Sequence, residues 1–330
     1  MSTTVAPLLE AFFTDRLLTQ KQVSSRTIHA YRDGFRLLLT FAQARTKRAP
    51  SDLLLTDLDA SLIGEFLTYL ETERGNCVRT RNARLAAIRS FFRYLAPLEP
   101  EHGGLIQRVL AIPQKRFERR IITYLTKEEA EALLSAPDKR TRIGRRDHAL
   151  LVLALHTGLR VSEITDLRIS QLTLGPAAHV RCRGKGRKER CTPLTKEAAS
   201  TLRDWLRERG GETEAPVFPS RRGSSLGRDA VERLVARYTR LAESSCATLR
   251  SKRVTPHVLR HTTAVSLLRA GVDCSVIALW LGHESIETTH VYLAADLTQK
   301  EEALAKTAPP TVQPGRYRPD DQLLAFLQSL

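Results

Sequence analysis

Apolar residues recur every three to four positions through most of the first hundred residues, and this period restricts that part of the chain to helices. One face of SSRTIHAYRDGFRLLLTFAQ carries five apolar residues at helical spacing, namely Ile28, Tyr31, Phe35, Leu38 and Phe41. Ser24 or Ser25 is a candidate N-cap for this helix. Further helices are predicted in SDLLLTDLDASLIGEFLTYLE and VRTRNARLAAIRSFFRYL. The sequence therefore predicts a helical first domain.

The helix predicted for VRTRNARLAAIRSFFRYL has a basic face opposite its apolar stripe. A basic amphipathic helix can be a solvated face, a membrane-surface helix or a reader of a DNA groove. The formal net charge of +16 and the pI near 10.1 favour a polyanionic partner over a merely solvated basic surface. We therefore expect duplex DNA to contact four arginines of this helix, namely Arg79, Arg81, Arg84 and Arg89.

Other features of the composition bear on the compartment. No apolar run approaches the ~20 residues that span a bilayer, and MSTTVAPLLEAFF lacks the basic start of a signal peptide. The 5 cysteines are scattered, without a CxxC pair, which indicates neither a disulfide framework nor a zinc site. We expect a protein of the reducing cytoplasm with no membrane partner.

A Pro/Gly-rich break, APLEPEHGG, ends the helical region. The basic segment from Lys115 to Arg120 follows, and Thr126 with Glu129 forms the capping box of a new helix. We predict a helical DNA-binding domain over 1–105, a basic linker over 106–120 and a second domain over 121–305. A proline-rich tail with a short apolar helix is predicted over 306–330.

The second domain is predicted to be helical apart from one β-hairpin. RRDHALLVLALHTGLRVSEITDL predicts two helices separated by a Thr-Gly break, and VTPHVLRHTTAVSLLRAG predicts a helix that starts at a Thr-Pro step. In HVRCRGKGRKERCTPL, Val180 and Cys182 alternate with Arg181 and Arg183, which is the period of a strand. The Gly-Lys-Gly turn that follows places Lys185 at or near the tip of the hairpin.

Two candidate sites precede the last helices, and each has an ordinary structural interpretation. TGLRVSEI places Arg160 and Glu163 three residues apart on one helix face, which is also the pattern of a surface ion pair. RGKGRKER places Lys185 in a turn, which is also typical of a solvated basic loop.

Two further candidates lie near the end of the second domain. HVLRH places His257 and Arg260 on one helix face, with His261 next, and a helical histidine of this kind is often only a packing residue. LGHESIETTHVY contains His283 and Tyr292, which could equally be a capping histidine and a packing tyrosine. The polar run before Tyr292 indicates a position outside a core.

Taken together in this order, the four stretches resemble the motif set of the tyrosine recombinases, the site-specific DNA integrases and resolvases. The resemblance covers roughly Ile121 to Ala305, and TIHAYRDGFRLLLTFA also resembles the core-binding domain of that family. It implies a mainly α fold with a small β-sheet, made of an N-terminal helical, SAM-like core-binding domain and a C-terminal catalytic domain.

The residue types suit phosphodiester chemistry. In-line attack develops negative charge on the non-bridging oxygens, which Arg160 and Arg260 can stabilise with planar forks. No acidic cluster suited to two metal ions accompanies them in the sequence, so we expect neither metal nor cofactor. A tyrosine hydroxyl, with a pKa of about 10 when free, needs a base, for which His257 is the candidate. The 5′-oxygen needs a proton, for which Lys185 is the candidate.

The resemblance assigns the remaining roles. Tyr292 would attack DNA to form a 3′-phosphotyrosyl link and a free 5′-hydroxyl, so that strand joining needs no ATP. His283 would hydrogen-bond the scissile phosphate, and Glu163 would orient its neighbours. His290 lies only two residues from Tyr292 and faces elsewhere on a helix. From the hairpin, Arg183 and Arg187 are expected to contact DNA.

The resemblance also implies an assembly. Two protomers would bind inverted half-sites on each duplex, and two duplexes would meet in a tetramer, with a second recombinase as an open option. We predict that the apolar helix from Gln322 to Leu330 docks on a neighbouring protomer, with an intramolecular return as the alternative.

Two other classes share part of this pattern. A type IB topoisomerase would use the same tyrosine chemistry without a defined site, and a DNA-binding regulator would have lost catalysis. Within the recombinases, the sequence leaves open a chromosome-dimer resolvase, an integron-type integrase and a mobile-element recombinase, of which the proline-rich tail favours the last.

Overall fold

The computed structural model describes residues 3–117, 122–183, 189–283, 288, 289 and 292. The chain divides into two compact units, Met1–Arg119 and Arg120–Leu330, each with its own hydrophobic core. Among the described residues, none of the helices combines the length and the apolar character needed to cross a membrane.

The first unit is helical throughout. Its helices are α1 (Val5–Ala11), which continues as a π-helical segment (Phe12–Gln20), α2 (Ser25–Thr46), α3 (Ala60–Thr72), α4 (Val78–Leu95) and α5 (Gly103–Ala111). Short 3₁₀ turns lie at Pro50–Asp52, Leu55–Asp57 and Pro100–His102. The side chain of Ser24 caps α2 and that of Asp59 caps α3, because each accepts a hydrogen bond from a backbone N–H of the first turn.

Aromatic side chains fill the core of this unit. The rings of Phe12, Phe35 and Phe91 meet edge to face, with the Phe91 centroid 5.4 Å from each of the other two. Phe35, Leu38 and Phe41 are buried, and Ile28 and Tyr31 pack against the same core from partly buried positions. The predicted apolar face of α2 is therefore confirmed.

Three of the α4 arginines that were expected to contact DNA donate to backbone carbonyls, whereas Arg79 and Arg93 of the same helix are exposed. Arg81 is 7% exposed and donates from Nη1 to the carbonyl oxygen of Pro113 over 3.1 Å. Arg84 donates to the Ala30 carbonyl over 2.6 Å, and Arg89 donates through Nε and Nη2 to the Leu110 carbonyl. These three side chains are hydrogen-bonded to backbone carbonyls of neighbouring segments. Their predicted contacts with DNA would therefore compete with these hydrogen bonds.

The segment after α5 is also fixed to α4. The Asn82 amide donates to the Lys115 carbonyl over 2.8 Å and accepts from the Lys115 N–H, while Lys115 Nζ pairs with Glu71 at 2.7 Å. The Arg79 guanidinium lies over the Phe117 ring at 5.3 Å. Residues 106–111, predicted as linker, lie in α5, whose apolar side chains join the core of the first unit.

The second unit is mainly helical with one small sheet. Its helices are α6 (Lys127–Ser135), α7 (Arg142–Thr157), α8 (Val161–Thr165), α9 (Lys196–Arg209), α10 (Arg228–Ala242), α11 (Pro256–Arg269) and α12 (Cys274–Leu281). The strands are β1 (Leu172–Thr173), β2 (His179–Arg183) and β3 (Glu189–Pro193), in the antiparallel order β1-β2-β3.

The predicted hairpin is present, and its register explains which side chains face inward. Val180 and Cys182 are buried, and Cys182 pairs with Arg190 across the two strands. The third strand, β1, is only two residues long and gives no periodic signal in the sequence. The turn that contains Lys185 and Arg187 lies outside the described residues, as does the side chain of Arg183.

Two predicted helix starts are confirmed. Thr126 and Glu129 form a reciprocal capping box on α6, and Glu129 also accepts from Lys252 Nζ over 2.6 Å, which ties this helix to a distant loop. Thr255 caps α11, with Pro256 as the first helical residue.

We predict that Arg81→Ala lowers the free energy of unfolding of the first unit by about 1–3 kcal/mol, because the Pro113 carbonyl loses its partner in a half-buried place. Circular dichroism during urea unfolding measures this change. Arg93→Ala, at an exposed position of the same helix, is the control and should stay within about 0.5 kcal/mol. Both tryptophans, Trp205 and Trp280, belong to the second unit, so their fluorescence transition should not move. An Arg81 variant as stable as the Arg93 variant would contradict the structural role.

Candidate active site

Two glycines shape the place where the predicted site residues meet. Gly158 ends α7 and Gly282 ends α12, both with positive φ angles, 62° and 65°. A Cβ on Gly158 would lie 2.6 Å from Leu281 Cδ2, and one on Gly282 would lie 2.7 Å from Arg190 Nη1. Only glycine allows both the backbone turn and this close approach, so the carbonyl ends of α7 and α12 lie side by side.

Arg160 lies just before α8 as its N-cap, rather than within the helix as its spacing from Glu163 suggested. Its backbone N–H donates to Glu163 Oε2 over 2.7 Å, and its Nη1 donates to Glu163 Oε1 over 3.1 Å. Nη2 donates to the Gly282 carbonyl over 2.8 Å. The predicted Arg160–Glu163 pair therefore exists, but it also joins α8 to the end of α12.

Arg260 is the most enclosed cation of the site, with 3% of its surface exposed. Its Nη1 donates to the Gly158 carbonyl over 2.6 Å, and its Nη2 donates to the Leu281 carbonyl over 2.7 Å. Burial, followed by the nearby charge of Arg160, lowers the pKa of Arg260 to about 10. The guanidinium therefore keeps its charge at neutral pH.

Arg190, on β3, is a member of the site that sequence reasoning missed. Its Nη1 and Nη2 donate to the two oxygens of Glu163 over 2.8 and 2.7 Å, and its Nε donates to the Trp280 carbonyl over 3.2 Å. The period of the strand could have identified Arg190 from the sequence. Residues two apart in a strand lie on the same face, so Arg190 lies on the same face of β3 as the buried Thr192.

Within the described part of the chain, Glu163 is the carboxylate to which these arginines bond. Burial by itself would raise its pKa, but the hydrogen bonds and charge of Arg190, together with those of Arg160, outweigh burial and lower it. A carboxylate with a lowered pKa stays ionised at neutral pH. Glu163 thus holds the guanidinium groups of Arg160 and Arg190 by hydrogen bonds.

Three histidines border the arginines and are neutral at pH 7. Burial and the charges of Arg260 and Arg160 lower the pKa of His257, and the same causes lower that of His283 to about 4. Burial, His257 and Arg260 lower the pKa of His261 to about 4. His283 Nδ1 lies 2.8 Å from the Thr289 hydroxyl, and the His257 and His261 ring centroids are 5.2 Å apart.

Tyr292 is 3% exposed and packs against the apolar side chains of α11 and α12, including Val265, Ile277 and Leu281. The prediction that Tyr292 lies outside a core is wrong. Its aromatic ring packs on apolar side chains, although the residues that precede it in the sequence are polar. Burial raises the pKa of the Tyr292 hydroxyl, and the charges of Arg260 and Arg160 partly offset that rise. Its oxygen lies 3.2 Å from His261 Nδ1.

The structure thus brings together five of the predicted catalytic residues with Glu163, namely Arg160, His257, Arg260, His283 and Tyr292. Lys185, the sixth, lies outside the described residues. A buried phenol beside two arginine forks and neutral imidazoles is suited to attack on a phosphodiester, since the cations stabilise the developing negative charge. A helical first domain and a catalytic unit with this constellation define the tyrosine recombinases, enzymes that exchange DNA strands.

Comparison with known families agrees with this class. The model named Phage integrase family matches residues 123–299, and that of the phage integrase N-terminal SAM-like domain matches residues 11–97. The chain belongs to the phage integrase family of tyrosine recombinases. The predicted fold class, a SAM-like core-binding domain followed by an integrase catalytic domain with a small sheet, is confirmed.

Relatives resemble the chain over nearly its full length. It is 54% identical to “Putative integrase/recombinase y4rC” of Sinorhizobium fredii over 99% of this chain and 98% of that protein. It is 33% identical to the tyrosine recombinase XerC of Pelobacter propionicus over 92% of this chain and 96% of that protein. The protein is accordingly a site-specific recombinase that acts on DNA.

Solved structures share the fold. The XerH site-specific recombinase bound to palindromic difH substrate matches with a TM-score of 0.68 at 24% identity, over 84% of this chain and 79% of that chain. The Tn1549 transposon integrase in complex with circular intermediate DNA matches with a TM-score of 0.68 at 19% identity, over 92% of this chain and 99% of that chain. At these identities the likeness supports the fold alone.

We predict that Glu163→Gln lowers the free energy of unfolding of the second unit by about 3 kcal/mol, because it leaves the largely buried Arg190 and the half-buried Arg160 without their counter-charge. Tryptophan fluorescence during urea unfolding measures the loss. Asp204→Asn removes an exposed ion pair with Arg207 and should change little.

The pH dependence gives a second check on Glu163. Its folded pKa is lowered, so its contribution to stability is fully present above the unfolded value of about 4.3 and is lost as the pH falls through the folded pKa. The stability gap between wild type and Glu163→Gln should therefore narrow below that pH. A gap that stays constant on acidification would rule out the charge explanation.

Proposed function

We propose that the protein cleaves and rejoins DNA strands at inverted-repeat core sites through a covalent 3′-phosphotyrosyl intermediate formed by Tyr292. The observation that carries this proposal is that the positive charges of Arg260 and Arg160 act on the Tyr292 phenol. The bond between tyrosine oxygen and phosphorus forms as the bond to the 5′-oxygen breaks. A 5′-hydroxyl from a partner duplex then reverses the step.

The individual roles follow from the contacts. Arg160 and Arg260, each pre-oriented by fixed carbonyl acceptors, stabilise the negative charge of the phosphoryl oxygens. His283, anchored by Thr289, lies beside them and hydrogen-bonds the scissile phosphate. We retain His257 as the candidate base and Lys185 as the candidate acid for the 5′-oxygen. The arginines supply the positive charge of the reaction, and the tyrosyl link conserves the bond energy, so the proposed chemistry uses neither metal nor ATP.

Tyr292→Phe should abolish covalent attachment to DNA and leave duplex affinity unchanged, because only the attacking oxygen is removed. Wild type and variant are incubated with nicked duplexes from the source DNA, without metal or ATP. A denaturing gel then shows the adducts, and the attached DNA is sequenced. Attachment at one recurring inverted repeat is the expected result. Adducts at many unrelated positions would instead indicate a topoisomerase of type IB, and tight binding without adducts would indicate a catalytically silent DNA-binding protein.

We further propose that two protomers bind each core site and that two such duplexes meet in a tetramer. The lambda integrase, a structure with the same fold, is described as a dimer bound to a COC′ core site. In this assembly the segment Gln322 to Leu330, which lies outside the described residues, docks on a neighbouring protomer. The predicted domain boundaries remain part of the proposal, except that residues 106–111 belong to the first domain because they lie in α5. A cytoplasmic location is also part of the proposal.

Deleting residues 322–330 should leave cleavage of a single nicked duplex intact and abolish recombination between two duplexes, because only the contact between protomers is lost. The adduct assay and a two-duplex recombination assay separate the two activities. Substitution of Gln322 and Gln328 with alanine, which keeps the apolar residues, is the control. Unchanged recombination by the shortened chain would refute docking in trans.

For DNA binding outside the catalytic residues, we propose Arg79, Arg183 and Arg187 as phosphate contacts. Arg81, Arg84 and Arg89 remain predictions, weakened by their bonds to backbone carbonyls. Alanine substitutions at each arginine are compared by measuring duplex affinity at the same series of salt concentrations. Loss of a phosphate contact reduces the dependence of that affinity on salt, whereas loss of a bond to a backbone carbonyl does not.

A further inference from the structure

The hydroxyl of Tyr292 has a defined hydrogen-bond partner, and that partner is not the histidine expected from the motif. His261 Nδ1 lies 3.2 Å from Tyr292 Oη, and the two rings meet edge to face with centroids 5.5 Å apart. His257 lies one helical turn earlier on α11, with its ring against His261. His261 is therefore in contact with both His257 and the proposed nucleophile.

The Tyr292 ring is held from several directions. Apolar side chains of α11 and α12 pack against it, and the His283 ring is stacked on it at 6.1 Å. These contacts restrict the plane of the ring but leave its hydroxyl free to rotate. Among the residues that the structure describes, His261 is the one whose hydrogen bond restricts the hydroxyl itself.

The surroundings of His261 keep its imidazole neutral. His257 and Arg260 face it from its own helix, and Tyr292 and His283 face it from the segment after α12. Burial, His257 and Arg260 bring the pKa of His261 to about 4, so at neutral pH one ring nitrogen is unprotonated. With the proton on Nε2, Nδ1 accepts the hydrogen bond that Tyr292 donates.

We propose that His261 is a positioning residue for strand cleavage, which accepts the hydrogen bond of the Tyr292 hydroxyl and fixes the direction of the attacking oxygen. This inference rests on the proposed function of Tyr292. A fixed acceptor orients the lone pair of the tyrosine oxygen towards the phosphate before attack. A misplaced nucleophile lowers the rate of the cleavage step by up to about 100-fold. His261 does not retain the proton, because His257 and Arg260 disfavour a charged imidazole beside them.

Three variants separate the hydrogen bond from the shape of the ring. His261→Phe keeps a ring without an acceptor, His261→Asn places an amide near the position of Nδ1, and His261→Gln places it near that of Nε2. The readout is the single-turnover rate of adduct formation on the nicked duplex to which wild type attaches. We expect the Phe and Gln variants to be roughly 10- to 100-fold slower and the Asn variant to recover most of the rate.

Duplex affinity and the thermal unfolding midpoint control for a structural role and should match wild type in all three variants. A Phe variant that cleaves as fast as wild type, or faster, would overturn the inference, since a faster rate would mean that the contact withholds the tyrosine. Slow cleavage by all three variants with lowered unfolding midpoints would overturn it as well, because packing alone would explain the loss.

The pH profile distinguishes positioning from proton transfer. With the pKa of His261 at about 4, the ratio of wild-type to Phe rates should stay constant between about pH 6 and 9. A ratio that rises through this range along a single titration curve would show that His261 carries the proton, and would overturn the positioning role.

A readout without DNA keeps this inference separate from the proposed function. In ¹⁵N spectra of the full chain at pH 7, His261 should show an unprotonated Nδ1 and a protonated Nε2, and Tyr292→Phe should shift the Nδ1 resonance. A protonated Nδ1, or an Nδ1 signal unchanged in Tyr292→Phe, would refute the hydrogen bond. If wild type forms no adducts at all, the proposed function fails, while these spectra still decide whether His261 binds the Tyr292 hydroxyl.

Discussion

One buried carboxylate holds the site together. Glu163 accepts two hydrogen bonds on each of its oxygens, from the backbone and guanidinium of Arg160 and from both terminal nitrogens of Arg190. This fills the acceptor capacity of a carboxylate. Burying such charges costs several kcal/mol per ion, and only complete pairing offsets that cost. The carboxylate thereby joins α8 to β3, and Arg190 extends the connection to α12 through the Trp280 carbonyl.

The arginines are held in addition by two helix ends. The last carbonyls of a helix carry partial negative charge and attract cations. Arg260 bridges the ends of α7 and α12 through the Gly158 and Leu281 carbonyls, and Arg160 takes the Gly282 carbonyl. The glycines of the TGLR and LGH stretches therefore have a physical reason, because a side chain at Gly158 would clash with Leu281 of α12 and one at Gly282 would displace the guanidinium of Arg190.

Much of this arrangement was accessible from the sequence. The helical spacing of apolar residues and the Thr126 capping box predict helices, and the alternation of residues in HVRCR predicts a strand of the hairpin. The four motifs predict which side chains lie together in the site. The sequence could not show that Arg81 and Arg89 bond to backbone carbonyls, since a basic helix face looks the same whether its arginines contact solvent, DNA or a neighbouring loop. The burial of Tyr292 was also missed, because it depends on apolar positions of α11 and α12 that are remote in sequence.

Among the described residues of the site, guanidinium groups outnumber carboxylates, and this inequality favours the binding of an anion. Within the described part of the chain, Arg160 and Arg190 pair with the carboxylate of Glu163, Arg260 bonds only to backbone carbonyls, and the neighbouring histidines stay neutral rather than add positive charge. Burial is the main cause of the lowered pKa values of those histidines and of Arg260, and the neighbouring positive charges lower them further. A phosphodiester in the proposed position would supply negative charge to these arginines and so relieve an electrostatic cost already present in the folded chain. We therefore expect DNA to stabilise the catalytic unit, by an amount that rises with the logarithm of the DNA concentration divided by Kd.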